Sequence, residues 1–142
     1  MGGRRYGRII ALAALYQIEL TNLPPEKVLK LEWIDDKLPD EIKEFAINLI
    51  KGTLEHINEV DSLIKKYSKN WSFDRISIVD KSILRFSIYS LLYRKDIPPK
   101  VVIDEAIEIS KKYSTEKAYQ FINGVLDGIK NNEIEKEDKN IL

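Results

Sequence analysis

The stretch DKSILRFSIYSLLYR, residues 80–94, indicates the fold class, because its apolar residues lie on most sides of a helix rather than along one stripe. A helix that is hydrophobic all round is normally buried at the centre of a bundle. The stretch therefore predicts a central helix with other helices packed around it. Arg85, inside this stretch, needs a charged partner when buried. Asp104 or Glu105 on the next helix is the predicted partner.

The segments on either side also repeat their apolar residues at helical spacing, and no segment alternates every second residue over a sustained run. TNLPPE, DDKLPDE, SKNWSFD and KDIPPK are the breaks between them. The pattern predicts helices over 4–20, 25–33, 41–67, a short one from 73 that leads into 80–94, 101–114 and 115–130. Ser114 is the predicted N-cap of the last helix. We therefore expect an all-α protein of about seven helices.

The chain is expected to form one helical domain over residues 1–142. Near Trp71 it is predicted to divide into two subdomains, residues 1–70 and 71–131, that share a core. Trp33 and Trp71 are predicted to pack between these subdomains, and the tail over 132–142 is predicted to be frayed. The single histidine, His56, is expected to have no role in a site.

Composition excludes several functional classes. The 142 residues contain 23 basic and 23 acidic side chains, no cysteine and one histidine. Because the net charge is zero, any contact with nucleic acid must come from a local basic patch. Without cysteine, disulfides, thiolate catalysis and Cys/His zinc sites are excluded. No apolar run is long enough to span a membrane, so a cytoplasmic protein is expected.

The short motifs of common enzymes, such as GxGxxG, HExxH and GxSxG, are absent. The acidic residues are expected on solvated helix faces, and a paired-carboxylate site is the alternative interpretation for pairs such as Asp104 and Glu105. The prediction is therefore a protein that is not an enzyme and has no cofactor or metal.

The first helix begins with three arginines, Arg4, Arg5 and Arg8, and no acidic residue. Cations are disfavoured at a helix N-terminus, where anions are favoured. The arginines therefore predict a phosphate site, because guanidinium groups bind phosphate through two hydrogen bonds at once. Tyr16, further along the helix, is predicted to stack or to form a hydrogen bond. The alternative is a frayed basic terminus with Tyr16 in the core.

The last helix, within STEKAYQFINGVLDGIKNN (114–132), places Phe121 to one side of its apolar stripe. Lys117, Gln120, Gly124 and Gly128 are its neighbours on the helix. Two glycines inside a helix cost about 1 kcal/mol each relative to alanine, which indicates close approach of another group. One interpretation is an unpaired RNA base stacked on Phe121. The alternative is another helix packed on the glycines, with Phe121 buried.

Four segments, taken in order, resemble the NusB family of bacterial transcription antitermination factors. They are RRYGRIIALAALYQ (4–17), WSFDRISIVDKSILR (71–85), IPPKVVIDEAIEISKKYS (97–114) and KAYQFINGVLDGI (117–129). The resemblance covers almost the whole chain. It implies a NusB-like all-α fold of two small helical bundles packed crosswise around a shared core, and no enzymatic activity.

The resemblance also implies partners. Members of this family pair with NusE, a small-subunit ribosomal protein, and bind the single-stranded boxA element of RNA. The complex helps RNA polymerase read through terminators in ribosomal RNA operons, and some members form a homodimer. RNA contacts are implied at Arg4, Arg5, Arg8, Tyr16, Lys117, Gln120 and Phe121. NusE contacts are implied at Asp74 and Asp80.

The chain departs from the family pattern at two points. Its arginine cluster is sparse, because Tyr6 and Gly7 interrupt it. Lys117 occupies a position where some members carry an acid. Two other functions remain open at this point. One is a helical oligomerisation module with no RNA role. The other is the NusB-like domain that precedes RNA cytosine methyltransferases, for which this chain lacks the catalytic half.

Overall fold

The computed structural model describes residues 3–34 and 37–135, so residues 136–142 of the predicted tail lie outside it. The described part contains no strand and seven α-helices, which confirms the predicted fold class. They are α1 (Gly3–Thr21), α2 (Pro25–Leu29), α3 (Asp40–Glu55), α4 (Ile57–Tyr67), α5 (Ile78–Tyr93), α6 (Pro99–Tyr113) and α7 (Ala118–Ile129). A 3₁₀ turn, Phe73–Arg75, precedes α5, and a π-helical turn, Lys130–Ile134, follows α7.

Helix α5 is the central helix that its composition predicts. All residues from Lys81 to Leu91 are buried, and α5 packs against α1, α3, α4, α6 and α7. Around it, α1 packs with α2 and α3, while α7 packs with α4 and α6. This arrangement is consistent with two helical bundles around a shared core. Helix α4 lies before the predicted boundary near Trp71 in the sequence. It nevertheless packs against α5 and α7, which lie after that boundary.

The prediction of one helix over 41–67 was wrong, because the chain bends at His56 between α3 and α4. His56 has φ −114° and ψ 23°, outside the helical range. Its ring stacks on Tyr93 of α5 with the centroids 4.0 Å apart. One turn earlier the ring of Tyr89 lies against Gly52, where a Cβ atom would be 2.0 Å from Tyr89 Cζ. The bend lets α3 pack on α1 and α4 pack on α7.

Helix α2 ends earlier than predicted, at Leu29. Leu31 follows with φ 54°, a left-handed conformation that no helix continues through. Trp33 then donates a hydrogen bond from Nε1 to the carbonyl of Val28 at 3.1 Å and stays 39% exposed. Trp33 therefore closes the end of a short helix, which differs from its predicted place between subdomains.

The predicted partners of Arg85 were also wrong. Its guanidinium donates to both carboxylate oxygens of Asp61 on α4, at 2.9 and 3.0 Å, and to Glu19 on α1 at 3.0 Å. The side of α5 that carries Arg85 faces α1 and α4, which is why α6 supplies no partner. Lys81, one turn earlier, lies 3.9 Å from the same Glu19. This cluster of buried charges joins α1, α4 and α5.

Helix α7 begins at Ala118, with Lys117 at the N-cap position, so the prediction that Ser114 caps it was wrong. The hydroxyl of Ser114 donates instead to the carboxylate of Asp80 at 2.6 Å. This hydrogen bond joins the end of α6 to the first turn of α5.

The described part of the tail is packed, so the prediction of fraying was wrong for residues 132–135. Ile134 is buried in the core. Glu133 accepts hydrogen bonds from Lys66 Nζ at 2.9 Å and from the Tyr67 hydroxyl at 3.3 Å. The turn after α7 is therefore held against α4.

Candidate nucleic-acid interface

Arg4 and Arg8 lie one turn apart on α1, over the ring of Phe45 from α3. Their guanidinium carbons are 5.0 and 5.3 Å from the ring centroid. Arg8 is only 4% exposed, and its Nη1 lies 4.0 Å from Glu105 Oε1 on α6. Burial lowers the pKa of Arg8. Arg8 therefore joins three helices and has little surface for a phosphate, whereas Arg4 lies at the surface.

Arg5 also reaches Glu105 of α6, the carboxylate that lies near Arg8. Its Nε donates to Glu105 Oε2 at 2.6 Å, and this hydrogen bond raises the pKa of Arg5. Arg4 lies 3.8 Å from Asp96, in the loop before α6. The first turn of α1 has no acidic residue of its own, but the fold brings two carboxylates to it from distant positions. An RNA phosphate must compete with these carboxylates for the arginines.

A groove of about 330 Å³ lies between α1 and the last turn of α6. Arg5 is on one wall, and Lys111, Lys112 and the exposed ring of Tyr113 are on the other, together with Glu108, which lies 3.9 Å from Lys111 Nζ. Lys111, Lys112 and Tyr113 were not predicted from the sequence. The two consecutive lysines in the last turn of α6 were a signal, but cations at that end of a helix are usually attributed to the helix dipole alone.

Tyr16 is 36% exposed, so the alternative that placed it in the core was wrong. It lies on α1 outside the groove that Arg5 lines. Its ring is available at the surface for stacking, as the phosphate-site interpretation requires.

The start of α7 presents Lys117 and Gln120 at the surface and a half-buried Phe121. The ring of Phe121 meets Trp71 edge to face, with centroids 6.3 Å apart and an interplanar angle of 65°. Trp71 is 56% exposed, so it is a surface residue and not the subdomain packing residue that was predicted. We call Trp71 and Phe121 the aromatic pair.

The two glycines of α7 have different surroundings. At Gly128 a Cβ atom would lie 2.8 Å from Tyr67 Cδ1, so close packing against α4 explains this glycine. At Gly124 a Cβ atom would meet nothing within 4 Å among the described residues. Packing within the chain therefore accounts for Gly128 and leaves Gly124 unexplained.

The groove that Arg5 lines is connected to the aromatic pair through the last turn of α6 and the first turn of α7. Lys111 Nζ lies 5.0 Å from the centroid of the Tyr119 ring. The Tyr119 hydroxyl is 3.4 Å from Gln120 Nε2, and Gln120 lines the same groove as the aromatic pair. We call this continuous region the basic–aromatic surface, which consists of Arg5, Lys111, Lys112, Tyr113, Tyr119, Gln120, Phe121 and Trp71.

The two acidic residues implied for partner binding lie near the start of α5. Asp74 is exposed in the 3₁₀ turn, and Asp80 is half-buried in the first turn of α5, where it accepts the hydrogen bond from Ser114. Asp80 lines a groove of about 360 Å³ that also includes the aromatic pair. Asp80 is therefore close to the basic–aromatic surface but on the other side of the aromatic pair.

Within residues 3–34 and 37–135, no helix is both long and apolar enough to cross a membrane. The same ranges contain no group of three or more histidine, aspartate and glutamate side chains that could hold a metal ion.

Comparison with known proteins gives concordant matches. The model of the NusB family matches residues 5–131. The transcription antitermination protein NusB of Leptospira biflexa is 46% identical over 134 residues, which cover 94% of this chain and 96% of the relative. The structure of T. maritima NusB superposes with a TM-score of 0.86 at 40% identity, covering 96% of each chain. A chain in the crystal structure of the antitermination factors NusB and NusE with double-stranded RNA gives 0.77 at 32% identity, covering 91% of this chain and 96% of that one.

Proposed function

Because this chain belongs to the NusB family, whose members are transcription antitermination factors and not enzymes, we propose that it binds RNA as part of an antitermination complex. The observation that supports this proposal most strongly is the continuity of the basic–aromatic surface. Cations attract the phosphates of an RNA strand, and exposed aromatic rings stack with its unpaired bases. A protein of zero net charge needs such a local surface to bind RNA.

The residues predicted to contact RNA and the two lysines of the basic–aromatic surface have separate proposed roles. Arg4 and Arg5 bind phosphates, and Lys111 and Lys112 extend this contact along α6. Arg8 is buried, so its proposed contribution is the electrostatic attraction of its charge and not a direct phosphate contact. The bases contact Tyr16, Lys117, Gln120 and Phe121. The proposed ligand is a single-stranded RNA, because flexible unpaired bases can reach separate stacking residues. The resemblance to the NusB family suggests that this RNA is of the boxA type.

The proposed protein partner is the ribosomal protein NusE, which docks around Asp74 and Asp80. A relative has been solved with NusE and RNA, which supports this choice. The complex would act in the cytoplasm and help RNA polymerase to read through terminators in ribosomal RNA operons. A homodimer that uses the basic–aromatic surface would compete with RNA.

Titration of fluorescently labelled boxA-type RNA, with and without NusE, tests the proposal. Because this chain has no net charge and its arginines face carboxylates, we expect weak RNA binding alone and much tighter binding with NusE. A scrambled RNA of the same composition is the control. Equal affinity for RNA in the presence and absence of NusE would contradict the expectation that NusE strengthens RNA binding. No RNA binding in either case would contradict the proposal itself.

A further inference from the structure

We infer that the groove between α7 and the segment 67–71 is a pocket for one unpaired RNA base, with Trp71 as its outer wall. The inference rests on the proposed RNA-binding function and adds a base site to it. The groove has a volume of about 390 Å³. Its lining includes the aromatic pair and Lys69, Asn70, Gln120, Gly124 and Asn132.

The chemistry of this lining suits a nucleobase. Three of the residues, Asn70, Gln120 and Asn132, carry side-chain amides, which can both donate and accept hydrogen bonds at a base edge. Lys69 supplies a cation at the rim, and no carboxylate is among the lining residues. This composition is notable in a chain with as many acidic as basic residues. A negatively charged strand therefore meets no repulsion from the groove itself.

Trp71 is held at the surface by its own backbone. Its N–H donates to the carbonyl of Ser68 at 2.9 Å, and the Ser68 hydroxyl donates to the Trp71 carbonyl at 3.4 Å. Ser68 is buried, so this turn is anchored to the core. The exposed indole is thus placed by the fold beside Phe121. Such a ring can stack with any base, because every base has a π face.

Gly124 forms the open part of the groove. A glycine within a helix costs about 1 kcal/mol relative to alanine, and no described residue comes within 4 Å of a Cβ atom at this position. A larger side chain here would project into the groove. A bound base therefore gives a reason for the glycine that packing within the chain does not give.

The groove on the other side of the aromatic pair has a different character. It contains Arg75 and Lys117, the carboxylate of Asp80, and an apolar wall that includes Ile76 and Ala118. None of the described residues that line this groove carries a side-chain amide, so it offers no amide partner to a base edge. We therefore assign the RNA base to the amide-lined groove, while Lys117 keeps its proposed contact with the strand outside it.

The test uses the full chain, NusE and a labelled boxA-type RNA. Trp71→Ala should weaken RNA binding by about fivefold to a hundredfold, the range expected for one lost stacking contact. Gly124→Leu should weaken it similarly by filling the groove. Neither variant removes a phosphate contact, so the slope of log affinity against log salt should not change. Trp33→Ala, at the other exposed tryptophan, is the matched control and should bind RNA like the parent.

Three outcomes would overturn the inference. If the parent binds RNA and both groove variants bind it equally well, the inference fails while the proposed function stands. If the variants lose NusE binding but keep RNA binding, the groove serves the protein partner. If the parent binds no RNA with or without NusE, the proposed function fails as well. Thermal unfolding of each variant, measured alongside, separates a local effect from loss of the fold.

Discussion

Glu105 is the carboxylate that lies against two of the three arginines of α1. It accepts the hydrogen bond from Arg5 and lies beside the buried Arg8. The sequence predicted the cationic patch, since three arginines start a helix without an acid. It could not predict the partner, because Arg5 and Glu105 are 100 positions apart and nothing in either segment indicates that they meet.

Replacing Glu105 by glutamine should increase RNA affinity by up to about fivefold at low salt. The reason is that RNA binding would no longer have to break the ion pair between Arg5 and Glu105, and exposed ion pairs are worth roughly 0.2–1 kcal/mol. The slope of log affinity against log salt should become steeper by up to about 0.7, the value for one single-strand phosphate. Fluorescence anisotropy at several salt concentrations measures both. Glu26→Gln on α2 is the control, and lower affinity of Glu105→Gln than of that control would contradict the explanation.

Arg85 shows how a buried charge stabilises the arrangement of helices. Burial opposes its charge, but the hydrogen bonds that Arg85 donates to Asp61 and Glu19 outweigh burial and raise its pKa. The sequence indicated that Arg85 needs a partner, but the partner predicted on α6 was wrong, because spacing along a chain does not give the rotation of a helix relative to its neighbours.

Arg85→Met should lower the free energy of unfolding by about 3–5 kcal/mol, since it leaves Asp61 and Glu19 without their main counter-charge. The double variant Arg85→Met, Asp61→Asn should lose less than the sum of the two single variants. Urea denaturation followed by circular dichroism gives these values. Strict additivity of the two single losses would show that the pair does not act as a unit.

At the scale of the elements, the helices were predictable and their junctions were not. The apolar spacing continues through Leu54, Ile57 and Val60 across the bend at His56, so the pattern gives no sign that α3 ends. The bend depends on α5, whose aromatic rings pack against Gly52 and His56. The basic–aromatic surface was only half predictable for the same reason. Phe121 could be identified within one helix, because it lies to one side of the apolar stripe. Its contact with Trp71 could not be predicted, because Trp71 belongs to a different segment of the chain.

The glycines of α3 and α7 predict opposite effects of the same substitution. Gly52→Ala would place its Cβ atom 2.0 Å from Tyr89 Cζ, so we expect a loss of about 1–3 kcal/mol from overpacking. Gly124→Ala meets no described atom and should stabilise the protein by about 0.5–1 kcal/mol through helix propensity. Chemical denaturation of the two variants and the parent measures both changes. A loss of stability in Gly124→Ala would contradict the open environment of that residue.

At the scale of the whole molecule, the distribution of charge matters more than its sum. The chain has no net charge, yet Arg5, Lys111 and Lys112 line one groove next to the aromatic residues, while Asp80 lies beyond the aromatic pair. Composition predicted that any RNA contact would be local. It could not place the patch, because the patch combines the start of α1, the end of α6 and the start of α7.

The whole chain should unfold in one cooperative transition, although it is predicted to divide into two subdomains near Trp71. Helix α5 packs against five other helices, and the ion pairs of Arg85 connect α5 to both α1 and α4. Neither subdomain can therefore lose its packing without exposing α5. Scanning calorimetry of the full chain should give an unfolding enthalpy on the order of 100 kcal/mol near 60 °C, equal to the van't Hoff enthalpy. Two separate transitions, or a van't Hoff enthalpy near half the calorimetric value, would mean that the subdomains unfold independently.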